Sequence, residues 1–157
     1  MAGRKGKSKK HSYGKERNRP LKGFTLYLCE NVDCDEAVEA LRAVNVRCKR
    51  HKDQFPNQKS VPDEVLLPLV GAHRWILITT DQKQRTTPME RLKIVTFRVR
   101  QFVFTSGNLG KTAMVDDLIK SLRRMREMCK SDAGPFSASI SKGGHVKLRT
   151  LRGRKEI

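Results

Sequence analysis

Several residue classes are scarce in this 157-residue chain, and each scarcity excludes something. Acids are outnumbered, 16 Asp and Glu against 34 Lys and Arg, which leaves a formal net charge of +18. A field of that sign draws polyanions, and nucleic acid is the commonest polyanion a protein meets. Aromatics make up only 6% of the residues, with no interleaved run of them. That argues against a module that reads single strands by stacking bases along an aromatic platform. The four cysteines (Cys29, Cys34, Cys48, Cys129) form no Cys-x-x-Cys pair and the four histidines are scattered, so zinc spacing is missing and reduced structural thiols are expected. No apolar run reaches the length of a membrane span, and no signal-peptide core follows Met1. The expectation is a soluble, cytoplasmic chain without a membrane partner.

Charge and apolar patterning divide the chain. Residues 1–22 carry nine Lys/Arg and one acid with almost nothing apolar, the composition of a flexible basic arm. Residues 23–150 form the expected single domain. Residues 151–157 are a short basic tail with three Lys/Arg and one acid.

Within the domain, strands and helices alternate. Phe24–Cys29 alternates bulky residues as a first strand ending at Glu30-Asn31. Asp35 is the expected cap of a helix to about Asn45, Val46–His51 alternates again, and Asp53-Gln54-Phe55-Pro56 starts a polar loop. Pro62, Asp63 and Glu64 suit the first turn of the next helix, which Pro68 should kink or shorten. Trp75–Ile78 is short, apolar and β-branched, a central strand buried on both faces. Thr87-Pro-Met-Glu opens a short helix, and Arg100–Phe104 is a fourth strand followed by a turn at Ser106–Gly110. Met114, Leu118, Leu122, Met125 and Cys129 mark one face of a long helix. Phe136–Ile140, Gly143-Gly144 and Val146–Leu148 read as a closing β-hairpin. That order predicts an α/β sandwich around a mostly parallel sheet.

Three acidic positions fall where parallel-sheet topology gathers ligands. Glu30 follows strand one, Asp63 or Glu64 opens a helix, and Asp81 follows strand three. Carboxylates without Cys or His partners suit hard cations, Mg²⁺ or Mn²⁺, which assist phosphodiester hydrolysis. Each acid also has a structural explanation. Asp81 suits a turn or helix cap, and Asp63 and Glu64 suit a helix dipole. Asp116 and Asp117 are candidates for an outer carboxylate, Arg98 and Arg100 for RNA-backbone contacts, and His51 and His73 read as surface or loop residues.

Residues 24–150 resemble the PIN superfamily, in particular its VapC-type toxin ribonucleases. The resemblance lies in Leu28-Cys-Glu-Asn-Val32, Asp53-Gln-Phe55, Pro62-Asp-Glu64, Leu67-Pro-x-Val-Gly71, Trp75–Asp81, Val103-Phe104 with Gly107-Asn-Leu109, and Pro135-Phe136. It implies a three-layer α/β/α fold and a divalent-metal endoribonuclease paired with a protein antitoxin, commonly as a homodimer. Carried over residue by residue, the catalytic acids are Glu30, Asp63 and Asp81, and the metal ligands are Glu30, Asp63, Glu64 and Asp81. Strand one departs from the pattern, because the family has Asp where this chain offers Cys29 and then Glu30. Strand alternation and the position of Ala40-Leu41 favour Glu30 in that place. If Cys29 holds it, the site is degenerate and the chain is an RNA- or protein-binding subunit.

Overall fold

The computed structural model describes residues 20–58, 60–80, 87–105 and 110–149. In these segments the chain runs β1 (Thr25–Leu28), α1 (Asp35–Ala43), β2 (Arg47–Arg50), a single turn α2 (His51–Gln54) and α3 (Asp63–His73). It continues with β3 (Ile76–Thr80), α4 (Pro88–Thr96), β4 (Arg100–Phe104), α5 (Lys111–Ser131), β5 (Phe136–Ser141) and β6 (His145–Arg149). The strands form one sheet in the order β2-β1-β3-β4-β5-β6. Every pairing is parallel except β5 with β6, the expected hairpin. Gly143 and Gly144 turn that hairpin at φ 88° and 80°, a backbone region that side-chain-bearing residues avoid.

Alternation along the strands builds two cores, one on each face. Leu26, Leu28, Ile76, Ile78, Phe102, Phe104 and Ile140 face α1 and α5, where Val38, Leu41, Met114, Leu118, Leu122 and Met125 meet them. The methionine stripe of α5 is therefore core. Tyr27 and Leu77 face the other way, onto Leu66, Leu67 and Val70 of α3 and Ile94 of α4. This is the three-layer α/β/α arrangement. It explains why the third strand is apolar without alternation: both of its faces are covered. Each fully buried Leu, Ile or Phe contributes about 1.5–3 kcal/mol.

Four local expectations change. Pro68 does not shorten its helix, because α3 runs through it to His73. Leu66, Leu67 and Val70 are buried on either side of it and hold that helix to the sheet. Asp35 is a first-turn residue rather than the cap, a position Cys34 takes without a side-chain bond. Asp53 and Gln54 belong to the turn α2 instead of a loop. His51 is buried, with the Tyr27 hydroxyl 2.9 Å from its Nδ1, and so is not a surface residue.

Candidate functional site

The chain leaves β1 for β2 at one edge and later returns to lay β3 on the other side of β1. Connections diverge at such a point, and a crevice opens beyond the carboxyl ends of the two strands. Here it has a volume of about 270 Å³. Leu66, Leu67, Leu77 and Ile94 supply its apolar part, and Cys29, Asp63, Thr79, Thr80, Glu90 and Gln101 its polar part.

Where the β1 ladder ends decides which residue faces this space. Cys29 N–H still donates to Ile78 O at 3.0 Å, which keeps Cys29 on the Tyr27 face. The chain then folds back, with Val32 N–H and Asp33 N–H both donating to Cys29 O at 2.8 Å. Glu30 falls in that turn, exposed, and is not among the crevice-lining residues. Burial pushes the Cys29 thiol up to about 12. The hydrogen bond to Thr79 opposes this shift, and the nearby charges of Asp63 and Glu30 add to it. The thiol therefore stays protonated at neutral pH.

Asp63 is the first residue of α3 and lines the crevice. It stands in the first turn, at the positive end of the helix. Glu64, one position on, is exposed and accepts from Lys93 Nζ at 3.1 Å, tying α3 to α4. Its own backbone N–H, ahead of Lys93, holds its carboxyl below the usual range. Asp81 follows β3 directly and lies outside the described residues, as does most of the predicted turn at 106–110. Glu90, which sequence reasoning passed over, forms a capping box. Thr87 N–H donates to Glu90 Oε1 at 3.0 Å, and Glu90 N–H donates to Thr87 Oγ1 at 3.1 Å. The Thr-x-x-Glu spacing was the available signal.

Other residues with a suggested role serve the fold. Asp117 is buried and accepts from Gly143 N–H at 3.0 Å, bracing the hairpin turn. Asp116 pairs with Lys120. Arg100 is buried and donates to Arg74 O, so its guanidinium is committed inside the protein. Asp33, a further acid near the end of β1, accepts from Arg50 Nε at 2.6 Å and from Lys52 N–H at 2.9 Å.

Among the described residues, no three His, Cys, Asp or Glu side chains stand close enough together to hold a metal ion. Mg²⁺ commonly uses only one or two protein carboxylates plus substrate phosphates. The Asp63 carboxylate with the Thr79, Thr80 and Gln101 oxygens is of that hard-donor kind; the protonated Cys29 thiol is not.

Residues 30–106 match the family model of the PIN like domain. PIN-like domains are commonly nucleases, and the matched segment contains Asp63, Glu64, Thr79, Thr80, Asp81, Glu90 and Gln101. The six-stranded, mostly parallel sheet with helices on both faces agrees with a PIN-like fold. No curated protein and no solved structure matches the chain. None of the helices among the described residues is long and apolar enough to cross a membrane.

Proposed function

We propose that this chain is a PIN-like endoribonuclease, the toxin of a toxin–antitoxin pair, that hydrolyses RNA phosphodiester bonds in the crevice beyond β1 and β3. One observation carries the reading: Asp63 and the carboxyl end of β3, which leads straight into Asp81, share a crevice at the topological switch point. Asp63 and Asp81 are the proposed holders of Mg²⁺ or Mn²⁺, with Glu30 beside Cys29 and Glu64 beside Asp63 as the outer acids. A dication bound there supplies positive charge against the scissile phosphate. The chain's own contribution is positioning. The start of α3 fixes Asp63, the β3 ladder fixes Thr79 and Thr80, and the Thr87–Glu90 box fixes the α4 wall. The excess of basic residues holds the RNA backbone. The test is cleavage of end-labelled RNA with Mn²⁺ by the full chain and by Asp63→Asn and Asp81→Asn. Both variants should fold normally, lose cleavage and relieve growth arrest on expression; a variant that cuts like the parent overturns the assignment.

Cys29 favours a second reading, in which the chain binds RNA or a partner protein without cutting. The Cys29 thiol is protonated, and Cys29 is one of the two residues, with Glu30, that this chain offers where the resembled family has Asp. Under that reading the parent shows no Mn²⁺ binding by calorimetry, while Cys29→Asp gains it.

A further inference from the structure

Charge without a counterion among the described residues collects at the outer strand of the sheet. Among the described residues β2 has a neighbour on one side only, and its four residues are Arg47, Cys48, Lys49 and Arg50. A cavity of about 670 Å³ opens beside it. Its cations come from four places: Lys22 before β1, Arg42 in the last turn of α1, Arg47 and Lys49 on one face of β2, and Arg50 on the other. The acid that joins them in the lining is Asp53. Arg50 is taken up by Asp33 and Asp35. Lys22, Arg42, Arg47 and Lys49 are exposed and form no ion pair among the described residues.

Lys49 is also held in place. Its Nζ lies 5.9 Å from the centre of the Trp75 ring. The Trp75 ring stacks with those of His73, at 4.4 Å between centres, and Tyr27, at 5.7 Å. Arg47 and Lys49 stand two residues apart on a strand face, roughly 6.6 Å along it. The groove runs from the amino end of β1 to Arg50 and Asp53, at the same end of the sheet as the crevice.

We propose that this groove is a track for the sugar-phosphate backbone of single-stranded RNA, leading the strand along β2 toward the crevice. The inference rests on the RNA reading above and adds the route by which RNA reaches that site. Cations on an edge strand also discourage strand-to-strand pairing. That effect accounts for Arg47 and Lys49, but not for Lys22 and Arg42 converging on the same cavity from other elements. It also makes a docked β-strand of a protein partner the weaker occupant. Lys22, the last residue of the basic stretch, lines the amino end of this groove.

The experiment is fluorescence anisotropy of the full chain with a labelled oligouridylate across a salt series. For the Arg47→Gln/Lys49→Gln double variant, the track predicts about tenfold weaker binding and a log–log salt slope shallower by about 1.4, two phosphate contacts at ~0.7 each. Lys22→Gln/Arg42→Gln, which leaves the sheet untouched, should behave alike. Arg123→Gln/Arg124→Gln, an equal charge loss on the exposed side of α5, should change binding less than twofold. If the α5 pair weakens binding as much as the β2 pair, the long-range field of the protein is responsible and the track is wrong. If polyglutamate displaces the RNA as well as unlabelled oligouridylate does at equal charge, the groove is a seat for an acidic protein and the track is again wrong. Asp63→Asn separates the two ideas. Full cleavage by it sinks the crevice assignment while leaving the track to its own binding data.

Discussion

Asp63 and Cys29 line one crevice, and the carboxylate of Asp63 helps hold the Cys29 thiol in its protonated form. One side chain is the kind of donor a hard dication requires, and the other is not. The chemistry of the site turns on that pairing.

Replacing the thiol by an oxyanion should therefore strengthen the site. Cys29→Asp is expected to bind Mn²⁺ about tenfold or more tighter than the parent, the scale on which even the partners of metal ligands act. Calorimetric titration with Mn²⁺ checks this. Equal or weaker binding in Cys29→Asp would show that residue 29 does not address the cation.

The Asp33–Arg50 ion pair at the end of β2 should matter for folding. The Asp33 side chain is only 4% exposed and accepts from both Arg50 Nε and the Lys52 backbone. Asp33→Ala leaves Arg50 with the exposed Asp35 alone, and the expected loss is about 3 kcal/mol, the scale for removing one member of a buried pair. Urea denaturation measures it, and a loss below about 1 kcal/mol would place this pair with ordinary surface ion pairs.

Close packing of α3 against the turn after α4 is equally exposed to test. A Cβ added at Gly71 would sit 1.9 Å from Phe97 O, a backbone atom. Gly71→Ala should destabilise the fold by about 3 kcal/mol, the upper part of the usual overpacking range. Thermal unfolding at the parent's midpoint would contradict the packing described.

Stability should fall at alkaline pH. Burial pushes the Cys129 thiol from its ordinary 9.0 up to about 11, against the pull of Arg100. Between those values the folded chain keeps a proton that the unfolded chain has released, so stability drops as pH rises through the window. Cys129→Ala should be less stable at pH 8 because of the lost packing, yet show a shallower decline from pH 9 to 11. Parallel declines in the two proteins would contradict the burial of this thiol.

Much of this architecture is legible in the residues. The alternation of strands and helices, the apolar third strand, the methionine stripe of α5 and the Gly-Gly hairpin all follow from local pattern, and local pattern is what those elements obey. Three features were hidden because they depend on contacts between distant segments. Residue 29 rather than 30 faces the crevice because the ladder with β3 reaches Cys29 N before the chain turns. The ring row His73–Trp75–Tyr27 joins side chains from α3, the start of β3 and β1. His51 is buried because β2 sets it against Tyr27. Helix α3 continues through Pro68 for a related reason: burial of its neighbours outweighs the backbone bond that a proline cannot make.

The most direct measurement is Mn²⁺-dependent cleavage of single-stranded RNA by the purified full chain beside its Asp63→Asn variant. Cutting by the parent, with at least a hundredfold loss in a variant that folds and binds RNA normally, is the predicted result, in line with removal of a catalytic metal's ligand. Undiminished cutting by Asp63→Asn, or none by the parent at any Mn²⁺ concentration, would contradict it.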